Sequence, residues 1–202
     1  MWGLVESGSI TKLINKPKGM VIGDIRYSRK IFELWSKSEL EAIGIYEVEF
    51  DNTNKKDEQW YINTDQSFAF AGGKITASYG SATAKAHADT LFTAQDESNG
   101  LGTEGEVKAE GLKTVLIRDV KKEAANILAE TDWYIIRKAD ANTAIPSAIT
   151  NHRAAVRTKA AEQETAITNA ADTPALETLY TYTKQEDGSV TRPLGELPTL
   201  ES

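Results

Sequence analysis

Between Leu112 and Ile167 apolar residues recur at helical spacing, in two runs on either side of Asp132-Trp133. Leu112, Val115, Leu116, Val120, Ala124, Ile127 and Leu128 lead up to Asp132-Trp133, and Ile145, Ile149, Val156, Ala160 and Ile167 follow. At roughly 3.6 residues per turn such residues form one stripe along a helix, whereas a strand would scatter them over both faces. The pattern predicts two helices folding back on each other, each burying its stripe against the other. Pro146 suits an early position in the second helix, where its missing amide hydrogen costs nothing. If that helix runs to about Ala170, its length is about 35 Å at a rise of about 1.5 Å per residue.

Residues 1–80 follow a different period. Trp2 to Glu6 and Ile10 to Ile14 flank Ser7-Gly8-Ser9, a glycine-bearing connection suited to a β-hairpin. Gly23-Asp24 similarly divides Met20 to Ile22 from Ile25 to Tyr27. Ser36 and Glu39 have the spacing of a capping box, and Gly44 ends the short helix that they open. The alternation in Ile45 to Phe50 predicts a strand with Tyr46, Val48 and Phe50 on one face. Asp51 to Glu58 is polar and reads as a loop; Trp60 to Ile62, Phe68 to Phe70 and Lys74 to Tyr79 read as strands, with Gly72-Gly73 turning the last pair.

The resulting expectation is an α+β chain: a small, mostly antiparallel β N-terminal domain with one short helix, a glycine-rich linker, then a C-terminal helical hairpin with a long second helix. Residues 1–80 form the β-rich domain, 81–110 the linker, 111–183 the hairpin module and 184–202 an extended C-terminal tail. The linker has room for a short helix at Ala82 to Leu91 before the acidic, glycine-rich run from Asp96 to Glu106. Asp172-Thr173-Pro174 ends the long helix and starts another, with Thr173 as its cap. In the tail, Leu194, Leu197 and Leu200 are spaced by three, which fits either a loose terminus or an arm that docks these leucines on a neighbouring subunit.

A length of 202 residues is enough for two small cores, but alanine-rich helices bury modest area each, so partner chains could supply the missing burial. A net charge of −7 argues against a protein that grips phosphate backbones, and no nucleic-acid partner is expected. The cluster of Arg153, Arg157 and Lys159 is followed at once by Glu162 and Glu164, the composition of a solvated mixed-charge face. The chain has no cysteine and two histidines, His87 and His152, which lie in different expected elements, so neither metal nor cofactor is expected. Asp96, Ser98 and Gly100 resemble the start of a calcium loop, yet Val107 stands where a bidentate glutamate is required. No apolar run approaches the roughly 20 residues of a membrane span, and the N-terminus lacks the layout of a signal peptide. Carboxylate pairs such as Glu47 and Glu49, on one strand face, could serve a small hydrolase acting on host surface glycans, but a solvated sheet edge that discourages aggregation accounts for them better.

Residues 128–157 resemble the phage tail assembly chaperone family. The shared pattern is a leucine, then Asp-Trp, a short loop, and a helix bearing Tyr-Arg-x-x-Leu-Arg, carried here by Leu128, Asp132, Trp133, Arg153 and Arg157. His152 and Val156 stand in place of the tyrosine and the second leucine, and the stretch from Arg137 to Ala144 differs from the commoner loop. Trp2-Gly3-Leu4-Val5-Glu6 with Gly8 and Ile10, and Leu34-Trp35-Ser36 with Glu39-Leu40 and Gly44-Ile45, look like the β-rich domain that begins many phage tail-associated proteins. The resemblance implies a non-enzymatic virion protein of the tail or tail-fibre apparatus, an adaptor present in the host cytoplasm during assembly. Its implied partners are other tail or fibre proteins and further copies of itself. The alternative is an assembly chaperone absent from the mature particle. Trp133 plugs the hairpin's open end, anchors a partner together with Tyr134 and the nearby arginines Arg153 and Arg157, or does both.

Overall fold

The structure, a computed structural model, describes residues 1–200. The chain is α+β, with strands first and helices after, and it separates into two compact units, Met1–Thr83 and a second from Ala84 onward.

In the first unit β1 (Trp2–Glu6) and β2 (Ser9–Ile14) form an antiparallel hairpin. Its two-residue turn needs positive φ at both central positions, and Ser7 (φ 51°) and Gly8 (φ 80°) supply it. A second hairpin joins β3 (Met20–Ile22) to β4 (Ile25–Tyr27), followed by helices α1 (Ile31–Leu34) and α2 (Lys37–Ala42). Helix α1 escaped the sequence reading because four residues are too few to display a period. The capping box of α2 forms as its spacing predicts: the Glu39 amide donates to Ser36 Oγ at 3.4 Å while the Ser36 amide donates to Glu39 at 2.7 Å. Strands β5 (Ile45–Asp51), β6 (Tyr61–Ile62), β7 (Gln66–Ala71) and β8 (Lys74–Tyr79) follow, with the two-residue β9 (Thr83–Ala84) at the boundary.

Five strands make one sheet in the order β2-β1-β5-β8-β7, in which only β5 and β8 pair in parallel. The sheet curls so that its edge strands β2 and β7 approach each other. Period-two alternation then sorts side chains into two cores. Ile45 joins Leu4, Ile14, Met20, Ile31 and Leu40 under the helices, whereas Tyr46 and Val48 join Ile75, Ala77, Phe68 and Phe70 on the opposite side. Phe50, expected on the inner face with them, lies past the end of that core and is 53% exposed. Gly44 adopts φ +83°, and a Cβ there would meet the Val5 carbonyl oxygen at 2.6 Å, so glycine is needed both for the turn and for the close approach of β1.

The second unit contains β10 (Thr90–Leu91), α3 (Ala94–Ser98) and β11 (Val107–Ala109), then α4 (Leu112–Ala129), α5 (Asp132–Ala141), α6 (Ser147–Asn169) and α7 (Thr173–Tyr180), and a final hairpin of β12 (Thr183–Lys184) with β13 (Val190–Thr191). Helices α4 and α6 pack antiparallel: Lys113 reaches the Thr168 carbonyl at 2.8 Å, Lys121 reaches Glu164 at 3.3 Å, and Arg153 reaches the Leu128 carbonyl. Leu116, Val120 and Ala124 bury against Ile149, Val156, Ala160 and Ile167, the two stripes read from the sequence.

Several expectations are corrected here. Ala82 to Leu91 is not helical; the short helix lies at Ala94–Ser98. The 82–91 segment instead serves α4: the carbonyls of Ala86 and His87 accept from the Leu112 and Lys113 amides, and Asp89 accepts from the Gly111 amide and the Thr114 hydroxyl, both at 2.7 Å. Gly111 cannot cap its own helix, so a carboxylate from a distant position does it. Residues 84–110 accordingly belong to the second unit. Helix α7 is capped by Asp172, which accepts from the Ala175 amide at 2.8 Å, and not by Thr173, whose hydroxyl donates to the Lys85 carbonyl at 2.6 Å.

The C-terminal segment packs on its own chain. The Leu194 amide donates to the Leu179 carbonyl at 3.0 Å and Gln163 Nε2 donates to the Gly195 carbonyl at 2.9 Å, with Leu194 and Leu197 only 3% and 6% exposed. Arg192 lies over the rings of Tyr180 and Tyr182 and pairs with Glu196 at 2.7 Å. Burial holds the Tyr180 hydroxyl up to a pKa of about 12. Neither a loose end nor an arm for a neighbour describes Leu194 and Leu197; Leu200 alone of the three stays largely exposed. The last two positions of the 184–202 tail lie outside the described residues.

Candidate functional site: an exposed helix on an arginine staple

The Asp132-Trp133 knot opens a helix. A break at Glu130 and Thr131 separates α4 from α5, so that Asp132 sits in the first turn of α5, where a carboxylate is favoured by the unpaired amides. The break is held from below by Arg153 of α6. One guanidinium nitrogen of Arg153 lies 2.6 Å from the Leu128 carbonyl, 2.7 Å from the Thr131 hydroxyl oxygen and 2.9 Å from the Asp132 carboxylate. The Thr131 hydroxyl in turn donates to the same Leu128 carbonyl at 3.0 Å. The Leu128 carbonyl also accepts from the Thr131 amide at 3.1 Å, so the cation adds a charge-assisted donor to a junction already hydrogen-bonded and joins it to the carboxylate at the start of α5. The Arg153 side chain is 12% exposed and Thr131 is 3% exposed, so the tie is shielded from water. Leu128, Asp132 and Arg153, far apart in sequence, form one cluster.

What the staple presents is α5, a helix with no buried residue. Trp133 is 49% exposed, Ile135 42% and Ile136 68%, so about half of the indole at the hairpin's open end is left uncovered. The Trp133 and Tyr134 rings lie 4.0 Å apart, and the Arg137 guanidinium sits 4.5 Å from the first centroid and 5.2 Å from the second. Such stacking immobilises the side chains without covering them. Beside it Ile135, Ile145, Thr150, Arg153 and Arg157 line a hollow of about 190 Å³. Arg157 is exposed and forms no ion pair among the described residues. Lys138 reaches the side-chain oxygen of Asn142, the left-handed residue (φ 50°) that ends α5.

Of the residues singled out in the sequence, Trp133, Tyr134, Arg153 and Arg157 therefore meet around α5, whereas Leu194 and Leu197 are internal packing and Leu200 is a separate exposed residue. The sequence reading passed over Thr131, Ile135, Ile136 and Arg137. Their signal was present: Trp133, Ile136 and Arg137 stand at i, i+3 and i+4, the spacing of one helical face.

The segments considered for metals have other occupations. Asp89 caps α4, and its hydrogen bonds to Gly111 and Thr114 hold its carboxyl below the usual range. Asp96 forms a capping box with Thr93 and an ion pair with Lys108 at 2.7 Å; the Lys108 hydrogen bond, then those from Thr93, bring it down to about 2. Among the described residues no three of His, Asp and Glu gather as a metal cluster, and no helix is long and apolar enough to cross a membrane. No family model, no curated protein and no solved structure matches this chain.

Proposed function

We propose that the protein is a non-enzymatic structural component of a bacteriophage tail or tail-fibre apparatus, an adaptor that joins other virion proteins through protein–protein contacts. The observation that carries the reading is α5: three large apolar residues on a helix with nothing buried, braced by a shielded arginine. A soluble chain gains nothing from displaying Trp133 and Ile136 to water, whereas an interface gains rigid aromatic and arginine anchors. The resemblance of Leu128, Asp132, Trp133, Arg153 and Arg157 to the phage tail assembly chaperone family supports the setting. The strand-rich first unit favours a built-in part over a departing chaperone.

The occupant of α5 is an apolar segment of another tail or fibre protein with acidic flanks. Arg137 and Arg157 border the site with no carboxylate ion-paired to them among the described residues, so a partner supplying one matches the surface in charge as well as in polarity. Further copies of the chain are expected in the same assembly. Quantitative mass spectrometry of purified particles tests the reading. Retention of the chain at stoichiometric copy number supports a structural part; abundance in the lysate with absence from particles makes it an assembly chaperone instead.

A further inference from the structure

The first unit carries a hollow that this reading does not use. It measures about 190 Å³ and is lined by Trp2, Phe32, Trp35, Leu40 and Ile45, with Lys37 and Glu47 among its polar residues. Buried Leu40 and Ile45 make the floor. Trp2 and Phe32 pack on each other at 5.0 Å and 58°, and Trp35 is braced edge-on by Tyr27 at 5.8 Å, so the aromatic lining is held in place. The hollow opens to the surface, where the side chains of Lys37 and Glu47 stand exposed beside the three rings.

The charges around it are unevenly satisfied. Lys37 pairs with Glu41 at 3.8 Å, and Glu49 pairs with Lys74 at 2.7 Å, which lowers the Glu49 carboxyl and raises the Lys74 ammonium from their ordinary values. Glu47 is exposed and has no ion-pair or hydrogen-bond partner among the described residues. A carboxylate without a counter-ion beside a lining of three aromatic rings is an arrangement that attracts an organic cation: ring quadrupoles and the carboxylate both favour positive charge. Arginine suits it best, since its planar guanidinium stacks on indole while donating to a carboxylate.

We propose that this hollow is a binding site for an arginine side chain of a partner polypeptide, with Trp2 and Phe32 as its walls and Glu47 as the counter-ion. The site concerns the first unit alone and stands whether or not α5 binds a tail protein. Titrate the full-length, ¹⁵N-labelled protein with the capped peptide Gly-Arg-Gly and follow the indole N–H signals, assigned with single tryptophan variants. The expected result is a saturable shift of the Trp2 and Trp35 signals, with Trp60 and Trp133 unmoved. Glu47→Gln, a change at an exposed position, weakens binding about fivefold. A Gly-Glu-Gly peptide and a neutral hexose leave the signals in place. The proposal is overturned if the arginine peptide moves neither signal, if Glu47→Gln binds as well as the parent, or if the hexose or the acidic peptide gives the same response.

Discussion

Arg153 does more for this fold than its place on a polar-looking helix suggests. Its guanidinium serves a backbone carbonyl, a hydroxyl and a carboxylate at the junction of two helices, so its loss removes charge-assisted hydrogen bonds from a shielded joint. Arg153→Ala is expected to lower unfolding free energy by about 2–3 kcal/mol in denaturant titrations. Arg153→Lys should recover part of that, since all three contacts come from one guanidinium nitrogen that an ammonium on a shorter side chain replaces imperfectly. Asp132→Ala should cost less than about 1 kcal/mol, because its side chain is 54% exposed and water screens the pair. A second residue-scale expectation concerns acid. Asp96 has a folded pKa of about 2, below the roughly 3.9 of an unfolded chain, so its stabilisation is present above the higher value and is lost as pH falls through the lower one. Thermal melts of the parent and Asp96→Asn should therefore differ at neutral pH and converge towards pH 2; a constant difference would show that the carboxylate charge is not what matters.

Elements whose cause is local were legible in the residues. Ser7-Gly8, Gly23, the Ser36–Glu39 box and Gly72-Gly73 each create structure within a few positions, and the hairpins and helix they predict are present. The stripes of α4 and α6 were equally readable, because a period of three and four survives whatever the partner is. What could not be read depends on contacts distant in sequence. Asp89 caps a helix 22 positions away, Lys85 receives the Thr173 hydroxyl 88 positions away, and β5 pairs in parallel with β8, a partner that local turn signals do not name. The three-leucine spacing of the tail was seen, but its destination on α6 and α7 was not, since apolar spacing says that a segment buries and not against what. Leu194→Ala should cost about 2–4 kcal/mol, as for other fully buried leucines, with Leu200→Ala nearly neutral. Equal effects of the two substitutions in thermal melts would contradict the packing of the tail.

At the scale of the whole molecule, two compact units each own a core, and the proposed contacts divide between them: an exposed apolar helix in the second and an aromatic hollow in the first. Residues 1–84 expressed alone should fold, giving a cooperative melt and dispersed amide signals, because their cores draw on no later residue. A chain that bridges other proteins needs docking surfaces it does not satisfy itself, and α5 is the one on which the functional reading rests. The direct test pairs the parent chain with Trp133→Ser/Ile136→Ser, both exposed positions whose change leaves the core intact. Mass spectrometry of purified particles should find the parent chain at stoichiometric copy number and the double variant strongly depleted, although both accumulate equally as folded protein in the lysate. Equal incorporation of the two, or absence of the parent from particles, would contradict the account.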